Sequence, residues 1–473
     1  MNGTEAILER LKKLQERGVR WIEVHFTDLA GMLRAFDTPI HEIDEKAIER
    51  GLGQLDGSSV KGFTTIAESD LVLKLDFNTM SEPLPWNPKK VRVIADVYMS
   101  MGRGRFERDP RYVAQKTVEY LAEQGYKAYF GPEIEFMLLD SIAVDVFTPA
   151  TGLGYTVSSR ESPLESQGYF QSFKQAYHTP TPVDQVAMIR QEIAETLEDV
   201  FGFRVEASHH EVAATGQIEI DFRFGELVET ADRVMTLKYT ARNIAAKYGM
   251  VAVFMPKPIT GDNGNGMHTH VSLWDKEGKK NLFYDPNDEY AELSQTARYF
   301  IGGLLEHGRA LAAFVAPTTN SYRRLVPGFE APIYLVWSKA NRSAAVRVPI
   351  YYKGEERAKR IEFRPPDPSA NPYLAFSAMV LAGLDGIRKK IDPGDPVDKD
   401  VYHMTPEEKR QLGIRELPRN LEEALDELES DHEFLKPVFS RELIETYIEL
   451  KREEAKMEKL YVNPIEVYMY AWL

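Results

Sequence analysis

Apolar and polar positions alternate with a period of two in several separated stretches of the chain, and with a period near 3.6 in others. The opening stretch T-E-A-I-L-E-R-L-K-K-L-Q-E-R-G predicts a charged amphipathic helix, capped near Thr4 and stopped at Gly18. R-W-I-E-V-H-F-T-D then alternates as a strand and turns at Ala30-Gly31. A short helix at 41–50, a glycine-rich loop at 51–62 and the strands L-V-L-K-L-D and V-R-V-I-A-D-V-Y complete a small mixed unit of about 100 residues, an ordinary domain size. Beyond it, D-P-R-Y-V-A-Q-K-T-V-E-Y-L-A-E-Q-G predicts a helix with Asp109 as N-cap, Pro110 in the first turn and Gly125 as its stop. Helical periodicity also marks 183–201, 229–248, 294–314 and the acidic C-terminal region. The stretch 141–181 has no clear period and is too long for an inert connector, so a functional or interface loop is expected there.

Four alternating segments are unusual in what they alternate. Glu133/Glu135 in G-P-E-I-E-F-M, Glu219/Asp221/Arg223 in Q-I-E-I-D-F-R, His268/His270 in M-H-T-H-V-S and Arg360/Glu362/Arg364 in K-R-I-E-F-R each put charged or imidazole groups two residues apart, with mostly apolar residues interleaved. Side chains two apart on a strand share a face, so each strand has one apolar and one charged face. For any single strand a solvated, salt-bridged face is the plainer interpretation. Four together predict a sheet, curved in outline, whose polar face gathers carboxylates, imidazoles and guanidiniums. Crowded carboxylates repel unless cations lie among them.

Composition narrows the chemistry. The formal charge of −15 argues against general binding to nucleic acid or to a membrane surface. No apolar run is long enough to span a bilayer and the N-terminus lacks a signal-peptide core, so a cytoplasmic protein is expected. With no cysteine, disulfides, thiolate catalysis and zinc–thiolate sites are excluded. If Glu133, Glu135, Glu211, Glu219 and Glu362 converge, their five negative charges call for a pair of divalent cations, with arginines covering the remainder. Oxygen-rich sites with a single imidazole suit Mg²⁺ or Mn²⁺ better than Zn²⁺ or Cu²⁺. Such a pair suits phosphoryl transfer, in which charge builds on several oxygens at once. Arginines crowd the stretch from Arg323 to Arg364, and guanidinium grips phosphate and carboxylate in bidentate fashion. Ser272 shares the face of His268 and His270, where it could donate to a nucleotide.

Taken together, L-D-G-S-S (55–59), G-P-E-I-E-F (131–136), H-H-E-V-A (209–213), G-Q-I-E (216–219), F-M-P-K-P (254–258), G-D-N-G-N-G-M-H-T-H (261–270), N-S-Y-R-R-L-V-P-G-F-E-A-P (320–332), N-R-S-A-A-V-R-V-P (341–349) and R-I-E-F-R-P-P-D-P-S-A-N-P-Y (360–373) resemble glutamine synthetase of the bacterial and archaeal class. The resemblance implies an α+β chain: a small N-terminal β-grasp domain (1–103) and a large catalytic domain (104–473) with a curved antiparallel sheet. It implies ATP-dependent ligation of ammonia to the side-chain carboxylate of L-glutamate, through γ-glutamyl phosphate, with two Mg²⁺ or Mn²⁺ per active site. It implies a homo-oligomer, a dodecamer of two stacked hexamers with sites between neighbouring subunits. The apolar C-terminal end from Val467 would then bury itself in a partner subunit.

Residue by residue, the resemblance implies that Glu135, Glu211 and Glu219 hold one metal, and Glu133, His268 and Glu362 the other. Arg342, Arg347 and Arg360 would contact phosphate groups. Arg324 and Arg364 would clamp glutamate beside Asn263 and Gly264. Phe224, His270, Ser272 and Arg357 would surround the nucleotide base and ribose. Asp56, with Ser59 and Tyr177, would form the ammonium pocket, Asp56 coming from the neighbouring subunit and taking the proton. Glu330 would ride on a flap over the intermediate. Tyr402 aligns with a tyrosine that some members modify, but its flanking residues differ, and an unmodified residue is expected. Two other outcomes stay open at this point: a glutamate–amine ligase of the same superfamily, and an assembling homologue without catalysis.

Overall fold

A computed structural model describes residues 3–146, 152–166, 168–339, 341–350 and 352–472. Part of the expected interface stretch (147–151 and 167) and the terminal Leu473 lie outside the described residues.

The N-terminal unit is a five-stranded sheet in the order Leu33–Pro39, Trp21–Thr27, Lys90–Met99, Asp70–Asp76, Leu52–Asp56. Its central pair, Trp21–Thr27 and Lys90–Met99, runs parallel, and the others are antiparallel. The helix Gly3–Glu16 buries Leu11 and Leu14 on this unit. The expected glycine-rich loop 51–62 is instead an edge strand followed by a short 3₁₀ turn, Gly57–Ser59. The reason is local: Leu52 and Leu55 pair against Leu73 and Leu71. Asp56 ends the strand, its side chain accepting from the Ser58 backbone N–H.

A nine-stranded sheet forms the large unit. Its path runs Tyr334–Lys339, Ala344–Val348, Ile361–Phe363, Met267–Asp275, Tyr126–Leu139, Gln217–Phe222, Val205–His210. Two short strands, Gly225–Glu226 and Val251–Val253, also pair with Tyr126–Leu139. All pairs are antiparallel except Tyr334–Lys339 with Ala344–Val348. Phe130, Ile134, Phe136, Ile218, Ile220, Met267, Val271, Ile361 and Phe363 are all buried on its apolar face. Each such side chain contributes about 1.5–3 kcal/mol when withdrawn from water. Phe130 stacks on Phe376 of the helix Pro372–Lys389, ring centres 5.1 Å apart.

The helix expected over 294–314 is two, Gln295–Glu306 and Gly308–Val315. They meet at His307, whose ring nitrogens lie 2.9 Å from Asp385 and 2.7 Å from Asp431. Gln295–Glu306 packs closely on Pro372–Lys389 through glycines: a Cβ at Gly303 would stand 2.0 Å from the Ala382 carbonyl oxygen. Asp109 and Pro110 open the helix Pro110–Glu123 as expected. Arg111 on this helix reaches Asp76 (2.8 Å) and Asp96 (2.7 Å) in the small unit and Asp232 (2.9 Å) in the large one, stitching the two together. Among the described residues, no helix is long and apolar enough to cross a membrane.

The unpatterned stretch 141–181 starts with a hairpin, Ser141–Asp145 against Gly154–Ser158. It then folds back over the sheet. Glu161 and His210, both fully buried, lie 3.0 Å apart, and the backbone N–H groups of Ala176 and His178 donate to the Val212 and His210 carbonyls. This return brings Tyr177 over the charged face.

Candidate active site

Strand register assembles the site. His268 stands opposite Glu133, Asp221 opposite Glu133, and Glu219 opposite both Glu135 and His209. On the other side, Glu362 stands opposite His270 and Arg347. Opposed residues of an antiparallel pair share a face at close range. The alternation legible in each strand therefore becomes one charged row across the sheet.

Two adjoining chambers open on that row. The smaller, about 190 Å³, is lined by Glu133, Glu135, Glu211, Glu219, Asp221, Tyr177, His268, Asn263, Gly264, Arg324, Arg342, Arg347, Arg364 and Glu330, among others. The larger, about 670 Å³, is lined by Phe224, His270, Ser272, Arg357 and Arg360. Glu133 and Asp221 belong to both walls. Glu362 lies fully buried behind the smaller chamber, 3.0 Å from Arg347 and 2.6 Å from Arg364. Asp56 and Ser59 line neither chamber of their own chain. The exposed Asp56 carboxylate accepts from the hydroxyls of Ser58 (2.7 Å) and Ser59 (2.8 Å), which hold it below the usual range.

The carboxylates strain against one another. Burial, aided by Glu135, pushes Glu211 up to about 8. Burial, with Glu133, Glu206 and Glu135, does the same to Asp221. Glu219 is raised well above the carboxylate range by burial and by Asp221 and Glu133. Glu133 goes the other way: burial raises it, but the imidazoles of His270 and His268 hold it well below its ordinary value. Burial and the Arg364 guanidinium depress His268, which favours the neutral ring a metal requires. His270 is fixed on both sides, its Nδ1 accepting from Arg360 at 3.1 Å and its Nε2 lying 2.7 Å from Glu133.

Two groups have ligand atoms close enough to share one ion: Glu133, His268 and Glu362, and His209, Glu219 and Asp221, each with all three atoms within 4.8 Å of one another. The first is the trio implied by the resemblance. The second shares only Glu219 with the implied trio. Glu135 instead accepts from Gln217 at 3.0 Å and from the Gly266 N–H at 2.8 Å, and Glu211 from the Val212 N–H at 3.0 Å. His209 stands between them, 3.2 Å from Glu219 and 3.5 Å from Glu211. The chamber suits hard divalent cations: its donors are mainly carboxylate oxygens, and the buried Asp221 Oδ1 has no hydrogen-bond partner among the described residues. Asp221 was legible in the sequence, since alternation puts it on Glu219's face. Alternation puts Gln217 on the same face, but its role was not legible there, because it depends on the Gly264 loop folding beneath it.

The arginines complete the charge pattern. Arg324 is buried and donates to the Pro365 carbonyl at 2.9 Å and the Arg364 carbonyl at 3.2 Å, which fixes its fork against the chamber wall. Burial disfavours the Arg342 charge, but Glu362, Tyr177 and Glu330 outweigh it and strengthen the cation. Glu330 has φ +57, a left-handed conformation rare outside glycine and frequent at strained functional positions.

Fold and chambers define a two-domain α+β enzyme with acids set to hold cations beside guanidiniums set to hold anions. Residues 18–100 match the glutamine synthetase beta-Grasp domain, and 107–470 match the glutamine synthetase catalytic domain. The chain is 60% identical over 463 residues to a glutamine synthetase of Sulfolobus acidocaldarius, covering 98% of each. It is 46% identical to that of Archaeoglobus fulgidus, over 98% of this chain and 97% of the relative. The cryo-EM structure of Plasmodium falciparum glutamine synthetase superposes with a TM-score of 0.88 at 29% identity, covering 99% of both chains. The chain belongs to the glutamine synthetase family.

Proposed function

We propose that the protein joins ammonia to the side-chain carboxylate of L-glutamate, using ATP and releasing ADP and phosphate. The observation that supports this most directly is the pair of adjoining chambers with Glu133 and Asp221 in their shared wall. The small polar one has the charge pattern for an amino acid and a transferring phosphoryl group, and the larger one has room for a nucleotide.

Glutamate is held by Arg324 and Arg364, near Asn263 and Gly264. The nucleotide occupies the chamber of Phe224, His270, Ser272 and Arg357. Two Mg²⁺ or Mn²⁺ ions would be held by Glu133, His268 and Glu362 and by Glu135, Glu211 and Glu219, with His209 and Asp221 within reach of the second. Such ions, when bound, neutralise phosphate oxygens during transfer. The glutamate carboxylate attacks the γ-phosphorus and the bond to ADP breaks. Arg342, Arg347 and Arg360 stabilise the charge that spreads over the transferred group. Ammonium then sits near Tyr177 and gives a proton to Asp56 of the partner subunit; the ammonia so formed attacks the acyl carbon, and phosphate leaves, taking up the second proton. Glu330 closes over the intermediate and excludes water.

This chemistry requires a neighbouring copy, so we place the protein in a ring-forming homo-oligomer, a dodecamer of two hexamers, in the cytoplasm. The exposed side chains of Val467, Tyr468, Met469, Tyr470 and Trp472 supply an apolar surface for a partner. We place the domain boundary between residues 103 and 104.

The test is ADP release from ATP with glutamate and Mg²⁺, adding ammonium or a panel of amines. Turnover with ammonium is expected. Turnover only with a larger amine would indicate an amine ligase instead, and no turnover with any of them a non-catalytic homologue.

A further inference from the structure

The acid-bearing segment around Glu330 is gripped from two other loops. Phe329, which helps line the smaller chamber, has the Lys174 ammonium 3.9 Å and the Lys257 ammonium 3.8 Å from its ring centre. Two like charges at one ring repel, and the electron-rich ring face, together with the carbonyls that each ammonium reaches, offsets that repulsion. Lys174 also donates to the Gly328 carbonyl at 3.2 Å. On the far side of Glu330, the Tyr402 hydroxyl donates to the Ala331 carbonyl. The segment is thus held by its backbone at 328 and 331 and by its ring at 329, on either side of a residue at φ +57.

Both lysines are anchored on one buried residue. The Asp262 carboxylate accepts from the Lys174 backbone N–H at 3.0 Å, and its carbonyl accepts from the Lys257 ammonium. The same carboxylate accepts from the Ala214 N–H at 2.7 Å and the Asn263 N–H at 3.0 Å. Asp262 therefore ties together the loops that carry Tyr177, Glu211 and Asn263. It is fully buried and lines neither chamber itself.

We infer that Lys174 and Lys257, mounted on Asp262, latch Phe329 and so hold the Glu330 segment closed over the acyl-phosphate intermediate. They are positioning residues: neither touches the reacting atoms. The inference rests on the proposed amide-forming reaction for its consequence but not for its geometry. An open segment admits water, and water attacks the same acyl carbon that ammonia attacks, releasing glutamate and phosphate. The signature of a loosened latch is therefore ADP formed in excess of glutamine, rather than a slow enzyme.

The experiment compares the full-length protein with the Lys174→Met/Lys257→Met double variant, with Lys174→Arg/Lys257→Arg, and with Phe329→Leu. It measures ADP released per glutamine formed, and deuterium uptake of backbone amides in 326–333. The methionine pair and Phe329→Leu should raise the ADP-to-glutamine ratio roughly two- to fivefold, the change in closed population that loss of a cation–ring contact confers. They should also speed exchange in 326–333 while leaving the buried sheet unchanged. The arginine pair keeps the cations and should stay close to the parent on both readouts. A methionine pair with slower turnover, coupling intact and exchange in 326–333 unaltered would overturn the latch. If the parent makes no glutamine, the amide-forming proposal fails by itself, and the exchange readout still decides whether the lysines hold the segment.

Discussion

Glu211 and Asp221 are both pushed up to about 8, and the sign of that shift fixes how the protein responds to pH and to metal. A carboxylate raised above its unfolded value near 4 favours the fold while protonated. That contribution is complete below the unfolded value and is lost as the pH rises through about 8. The metal-free protein should therefore melt at progressively lower temperature from about pH 5 to about pH 8.5, and the gain on adding Mg²⁺ should grow over the same interval. Metal binding at about pH 7 should release protons, seen as a dependence of calorimetric heat on buffer ionisation enthalpy. Heats independent of buffer would show that these acids are not where the metal binds.

At the level of strands and helices, the sequence disclosed more than pairing alone could. Residues 133–135, 219–221, 268–270 and 360–364 carried their two-faced character openly, because a strand writes its environment into every second position. What was hidden was register: nothing local says that His268 meets Glu133 or that Glu362 meets Arg347, since those pairs depend on strands far apart in the chain. The stretch 141–181 was unreadable for a related reason. Its order comes from long-range contacts such as Glu161 on His210, not from any period of its own. The lysine latch was equally silent, being made by three loops. The helix pair behind the sheet gives a direct prediction. Gly303→Ala places a methyl where the Ala382 carbonyl already stands, and should cost about 2 kcal/mol or more, measured as a lowered denaturation midpoint. Exposed Gly249 has open space around its Cβ position but φ +69, so Gly249→Ala should cost only backbone strain, about 1 kcal/mol, and leave packing intact.

For the whole molecule, the separation of Asp56 from its own chambers is the governing fact. If a neighbour completes each site, a chain lacking Asp56 and a chain lacking Arg342 are defective in different halves of one interface. Asp56→Ala and Arg342→Ala homo-oligomers should each be nearly inactive with ammonium. Co-assembled in equal amounts they should recover about a quarter of parental activity, the share of interfaces that draw an intact half from each chain. Recovery no better than a simple mixture of the two homo-oligomers would place Asp56 outside the shared site. The same dependence ties activity to concentration: dilution below the assembly threshold should abolish turnover before the subunits unfold.

The row of opposed residues across the large sheet also constrains how such a gene can change. Because its reactive groups recur at every second position, inserting one amino acid into Tyr126–Leu139 or Met267–Asp275 would turn the remainder of that strand inside out, sending acids into the apolar interior and phenyl rings into the chambers. Length variation in these strands is filtered by parity, so tolerated growth must accumulate in the connections between them.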